Sequence, residues 1–226
     1  MIKKALRFLL KILLICLLVS ITWVLVYRYV NPPVSMFMLG DCLRSDQSLK
    51  HDWKDLEEIN AYLPLAFIAS EDQRFLQHHG FDLDAIEKAF HEIQSGQRFR
   101  GGSTISQQVA KNLFLYREQT YLRKGLEAYF TVLIELLWSK DRIMEVYLNI
   151  VELGDLTYGV SAAAEEYFST TAQNINQYQA ALMATALPSP ISYSLSSPSP
   201  YMKQRSKWVL RQMDNLGGLR LLESWY

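Results

Sequence analysis

Cysteine is nearly missing from this chain: its 226 residues carry two, Cys16 and Cys42. Cys16 lies in an apolar run and Cys42 just beyond it, so an intrachain disulfide is not expected, and the rest of the chain has no Cys-built zinc site. An excess of charge is missing as well. Lys and Arg number 23 against 23 Asp and Glu, so the net charge is 0, and a nucleic-acid partner, which needs a basic surplus, is not expected. Alternating apolar and polar runs, the mark of half-buried strands, are nearly absent. No internal repeat or low-complexity tract replaces them. What remains is helical periodicity in a chain that is 50% hydrophobic. The sequence therefore reads as all-α, with about 190 residues beyond an N-terminal anchor, enough for one domain around one core.

The anchor is the plainest local feature. Lys3, Lys4, Arg7 and Lys11 precede the uncharged run from Ile12 to Val26, and Tyr27, Arg28 and Tyr29 follow it. The run alone is short for a hydrocarbon layer of about 30 Å. Extended from Phe8 to Val30, with Lys11 and Arg28 snorkelling, it reaches across. Cations before the run place the N-terminus in the cytoplasm. A cleaved signal peptide is the alternative, but no Ala-x-Ala-like site follows. The expected organisation is residues 1–11 cytoplasmic, 12–30 a transmembrane anchor, 31–50 a linker opened by Asn31-Pro32-Pro33, and 51–226 a globular domain.

Within that domain, Pro64 suits a first helical turn, and Leu65, Ile68, Phe75 and Leu76 mark an apolar side running towards a stop at Gly80. Asp84 to Glu87 resembles a capping box for a helix ending near Gly96. A loop with Arg98, Phe99 and Arg100 follows. Ser103 or Thr104 caps the next helix, to about Leu115. Further helices are expected from Tyr121 to Trp138, from Ser139 to about Asn149, from Ser161 to about Phe168, from Asn176 to before Leu187, and from Ser199-Pro200 onward, interrupted at Gly217-Gly218.

Two carboxylates stand out. In a continuous helix Glu71, Arg74, Phe75 and His78 share a face, and Phe75 beside Glu71 raises the carboxyl's pKa towards the range of a general base. The bland alternative is a solvated Glu71–Arg74 pair with His78 in the core. Gly101-Gly102-Ser103-Thr104 opens a helix whose free N–H groups attract anions, with Gln107, Gln108 and Lys111 along it; an ordinary cap is the alternative. Arg123, Lys124 and Glu127 form either a surface ion pair or a cationic clamp for a diphosphate, with Glu127 ordering it or holding a metal. Lys140 and Arg142 add positive charge one helix later. Asn149 closes a helix or holds catalytic loops.

In their order and spacing these segments resemble the peptidoglycan glycosyltransferase family, the lipid II polymerases of bacterial cell walls, and in particular its monofunctional branch. The matching stretches are Glu71 to Gly80, Gly101 to Asn112, Arg123 to Glu127, Ser139 to Asn149 and Gly159 to Ser169, the last departing at Ser169, where the family often has Gly. The resemblance implies a lysozyme-like helical domain behind one transmembrane helix, on the outer face of the bacterial inner membrane. It implies Glu71 as base towards the 4-hydroxyl of the acceptor sugar. Lys111, Arg123 and Lys124 would balance the leaving lipid diphosphate, with Glu127 as second carboxylate. Ser103, Thr104 and Gln108 would line the donor side, and Asp72, Phe75 and His78 would support Glu71. No organic cofactor is implied; a divalent cation, Mg or Mn, has a place at the diphosphate. Lipid II and the growing strand are the implied partners, with cell-division or elongation proteins beside them. No transpeptidase motif set is found, so cross-linking is not expected. Two other readings stay open: a wall-cleaving muramidase or lytic transglycosylase, and a non-catalytic membrane scaffold. The segment of Ile86, Phe90, Ile93 and Phe99 either dips into the bilayer or packs in the core.

Overall fold

The structure, a computed structural model, describes residues 2–85, 87 and 102–226. The described residues form nine α-helices: α1 (Ile2–Tyr29), α2 (Met36–Cys42), α3 (Tyr62–Glu71), α4 (Ile105–Phe114), α5 (Tyr121–Leu137), α6 (Lys140–Ile150), α7 (Val160–Phe168), α8 (Gln177–Ala186) and α9 (Pro200–Asn215). The expected helix after Asp84 and the loop with Arg98, Phe99 and Arg100 fall largely outside the described residues, as do Ile86, Phe90, Ile93 and Gly101.

The caps explain why the boundaries follow the sequence signals. Thr104, Thr120, Asn176 and Ser199 each accept a backbone N–H three residues on, satisfying donors that the first helical turn leaves free. α3 is buried on all sides from Leu63 to Ala69, so it is the central core helix rather than an amphipathic surface one. It packs against α8 and α9, while α4 packs against α5 and α6. These two groups of helices meet where α3 ends.

That end corrects one expectation. The helix expected to run on towards Gly80 stops at Glu71, and Asp72 leaves helical geometry at φ −157°, ψ 73°. Glu71, Arg74, Phe75 and His78 therefore do not share a helix face. The cause is tertiary. The Asp72 carboxylate accepts the Ile105 N–H of α4 at 3.0 Å, and Gln73 Nε2 donates to the Ala69 carbonyl at 3.1 Å, satisfying an acceptor the helix end leaves open. Arg74 turns away to Asp82 at 3.0 Å and to Asp84. Gly80 ends the turn at φ +88°, and a Cβ there would lie 2.7 Å from Thr131 Cγ2, so only glycine lets this segment approach α5.

Three short strands supplement the helices: β1 (Lys50–His51), β2 (Glu152–Gly154) and β3 (Thr157–Tyr158). β3 is central, parallel to β1 and antiparallel to β2. Strands of two or three residues are too short to show an alternating pattern. At the end of α7, Ser169 adopts the left-handed conformation, φ 51°, ψ 42°, which accounts physically for a glycine preference at that position.

α1 has 28 residues, or about 42 Å of helix, more than the roughly 30 Å hydrocarbon layer. Its apolar side chains are exposed through most of its length, and only its C-terminal end is docked on the domain. There Trp23 meets Phe114 edge-on with ring centres 5.2 Å apart. Trp138 Nε1 donates to the Val24 carbonyl at 2.8 Å.

Candidate active site

Glu71 is the last residue of α3 and is half-buried. Ser70 Oγ donates to its Oε1 at 3.2 Å, and Gln108 Nε2 of α4 donates to its Oε2 at 3.1 Å. Gln108 is oriented in turn. Its Nε2 also donates to the Ser103 carbonyl at 3.3 Å, and the Tyr147 hydroxyl of α6 donates to its Oε1 at 3.4 Å. Burial pushes the Glu71 pKa above the ordinary 4.5, against the pull of Gln108, Ser70 and Arg205, with Asp72 adding to the rise. The direction and its first cause, burial, match the sequence reading. The Phe75 ring packs edge-on to His78 and Trp225.

Asp72 and His78 brace this corner. His78 Nε2 lies 2.8 Å and 3.0 Å from the two Asp72 oxygens. Its Nδ1 accepts the Gly80 N–H at 3.1 Å, so the ring proton sits on Nε2 and donates to the carboxylate. Thr104, besides capping α4, donates to the Gly80 carbonyl at 2.7 Å. Asp72 thus ties the end of α3 to the start of α4, and the Gln108 amide is brought to Glu71.

One helical turn beyond Gln108, Lys111 points into a cluster of charge. Glu127 is 1% exposed. Arg123 Nη1 donates to its Oε2 at 2.6 Å, and Lys124 Nζ donates to its Oε1. Burial lowers the Lys111 pKa; Glu127 opposes this, while Arg123, Lys124 and Arg117 push it lower still. Several cations thus crowd around one buried carboxylate. Arg123 Nε is buried without a partner. Such a surplus of unspent donors and positive charge suits an anionic group.

Of the remaining candidates, Lys140 pairs with Glu135 at 2.8 Å and lies 4.5 Å from the Phe75 ring centre. Arg142 is spent on the end of α1 and the residue after it: Nε and Nη2 donate to the Tyr27 carbonyl at 3.1 Å and 2.9 Å, and Nη2 reaches the Val30 carbonyl at 3.1 Å. Its positive charge therefore sits against the C-terminal carbonyls of α1, where the helix dipole favours it. Asn149 is fully buried and clasps the Lys54 backbone, accepting its N–H at 2.9 Å and donating to its carbonyl at 2.8 Å. Arg142 and Asn149 thus tie α1 and the Lys54 segment to α6.

For a divalent cation the local donors fit poorly. Both Glu127 oxygens already accept from cations, and among the described residues no group of three or more His, Cys, Asp or Glu converges. Sequence reasoning missed Ser70, Tyr147 and Arg205 as neighbours of Glu71. Ser70 and Tyr147 lie inside quoted or adjacent segments but carry no motif signal of their own, and Arg205 lies far away in sequence.

A family model described as Transglycosylase matches residues 39–214. A biosynthetic peptidoglycan transglycosylase of Aeromonas hydrophila is 49% identical over 214 residues, covering 93% of this chain and 91% of that protein. The protein of that name in Xylella fastidiosa is 48% identical over 223 residues, covering 96% and 92%. The one in Shewanella oneidensis is 45% identical over 223 residues, covering 97% and 96%.

Proposed function

This chain belongs to the transglycosylase family and is a peptidoglycan glycosyltransferase, and we propose that it works with Glu71 as general base facing a cationic clamp built from Lys111, Arg123, Lys124 and Glu127. The substrate is lipid II, whose disaccharide units it joins through β-1,4 bonds. Glu71 accepts the proton of the acceptor's 4-hydroxyl. The oxygen attacks C1 of the donor from the face opposite the diphosphate. The C1–O bond breaks with its electron pair going to the diphosphate, and the configuration inverts. No general acid is required, because a diphosphate is a good leaving group once its charge is balanced. The clamp balances it at the moment the charge develops.

One observation supports this most directly. α4 presents Gln108 to the Glu71 carboxylate and Lys111, three residues on, to the Glu127 cluster. One helix thus carries a partner of the acid and a member of the clamp three residues apart, a rise of about 4.5 Å along its axis. The raised pKa of Glu71 alone does not separate polymerisation from wall cleavage, since a raised carboxyl also serves as a general acid. The clamp does, because hydrolysis of finished glycan releases no diphosphate. With both Glu127 oxygens occupied, its role is to order the clamp rather than to ligate a metal.

Lipid II confines the reaction to a membrane face, and the anchor keeps the enzyme there. Cations ahead of the anchor assign the N-terminus to the cytoplasm and the domain to the periplasmic side of the inner membrane. Trp138, which donates to the Val24 carbonyl, and Arg142, which donates to the Tyr27 carbonyl, fasten the domain to the anchor. The test is glycan synthesis by purified full-length protein. Lipid II should be polymerised, Glu71→Gln should lose most turnover while staying folded, and finished cell wall should release no muropeptides. Release of muropeptides, or a fully active Glu71→Gln, defeats the reading.

A further inference from the structure

The base has a poor electrostatic setting on its own helix. Glu71 ends α3, where the helix dipole is negative. Asp72 follows it directly and raises its pKa, and the buried Tyr147 hydroxyl faces it from α6. Ser70 and Gln108 donate to it but carry no charge. Lys111, Arg123 and Lys124 are gathered around Glu127 instead.

The facing cation comes from the far end of the chain. α9 packs along α3, and Gln73 Nε2, two residues beyond the base, donates to Gln212 Oε1 of α9 at 3.3 Å. Seven residues earlier, on the same side of α9, stands the half-buried Arg205. Its guanidinium carbon lies 3.7 Å from the Trp208 ring centre, and its charge acts on the Glu71 carboxylate. Lys203, Lys207 and Arg211 of the same helix are exposed.

We propose that Arg205 is a positioning residue for the base: stacked on Trp208 and held against α3, it supplies the positive charge that keeps the Glu71 carboxylate ready to accept a proton on the acceptor side of the cleft. The inference rests on Glu71 being the base. Stacking matters because a planar guanidinium over an indole is held in place, whereas a flexible ammonium is not.

The test is the pH dependence of kcat/KM on lipid II for the wild type, Arg205→Gln, Arg205→Lys and Glu71→Gln, all full-length. Activity falls on the acid side as the base takes up its proton. Arg205→Gln should move that limb to higher pH by half a unit or more, a loss of about threefold at a pH on the limb. The loss should shrink as pH rises, and Arg205→Lys, which keeps the charge without the stacked guanidinium, should recover only part of the shift. A limb that stays put, or a loss equal at every pH, overturns the proposal while leaving an inactive Glu71→Gln to uphold the base. An active Glu71→Gln removes the base itself and the proposal with it. If Arg205→Gln does not fold, ionic strength decides on the wild type. Salt screens the attraction, so the limb should rise with added salt, and a limb indifferent to salt overturns the assignment.

Discussion

Glu127→Gln separates the two halves of the clamp. The Arg123 and Glu127 side chains are 10% and 2% exposed, so their ion pair is buried and removing the anion strands a guanidinium away from water. Breaking such a pair costs about 3–5 kcal/mol, which for a domain of this size lowers Tm by roughly 6–20 °C. The Lys124 side chain is 53% exposed. Its half of the cluster is screened, and Lys124→Met should cost less than about 1 kcal/mol in stability. Activity should rank differently. Lys124→Met removes a charge-assisted donor worth about 1.5–3 kcal/mol to the departing diphosphate, hence about 10- to 100-fold in kcat. Glu127→Gln also removes the carboxylate that opposes the lowering of the Lys111 pKa. Lys111 should then lose its proton at lower pH, and the alkaline limb of kcat should move down. Thermal unfolding in detergent or nanodiscs, with lipid II polymerisation followed against pH, reads all of this. Equal stability losses in the two variants, or an alkaline limb unmoved in Glu127→Gln, would refute the account of the clamp. A double variant, Arg123→Gln with Glu127→Gln, should recover part of the stability lost by the single one.

Three further outcomes are expected. Glu71 has a raised pKa in the folded protein, so the folded state binds its proton more tightly than the unfolded one. The stability this gives is present below pH 4.5 and is lost as pH rises through the folded value. Glu71→Gln should therefore raise Tm at neutral pH, with the difference shrinking in acid, as a scan of Tm against pH would show. Ser169→Gly relieves a left-handed serine at φ 51° and should stabilise by about 0.5–1 kcal/mol, the 1–2 kcal/mol of strain being partly offset by a freer unfolded chain. Gly80→Ala meets both a positive φ and the Thr131 methyl. It should destabilise by about 2–5 kcal/mol, measurable by denaturant unfolding, and should lower activity by moving the Asp72–His78 corner.

Helix caps such as Thr104, Asn176 and Ser199 were legible because capping is local chemistry: a side chain and an N–H within three residues decide it. The long apolar helix at the N-terminus was legible for a similar reason, since a long uncharged run is visible in the residues themselves. The end of α3 was not legible. Periodicity carried the helix past Glu71 through Phe75, but periodicity contains no information about an Asp72 carboxylate meeting the N–H of Ile105, which lies 33 residues away. Arg142 shows the same limit from the other side. Its charge reads from the sequence, but the Tyr27 carbonyl it meets, 115 residues away, does not.

Composition, spacing and caps by themselves determined that the chain is helical, headed by one long apolar helix, and equipped with an acid, an amide-lined helix start and a basic pair beside a second acid. Those are properties of one residue and its near neighbours. Which cations face Glu127 and which meet the end of α1, why Glu71 stands at a helix end, and how Arg205 comes to face it were decided only by tertiary packing. Electrostatic coupling depends on separation in space and on burial, and neither is a function of distance along the chain.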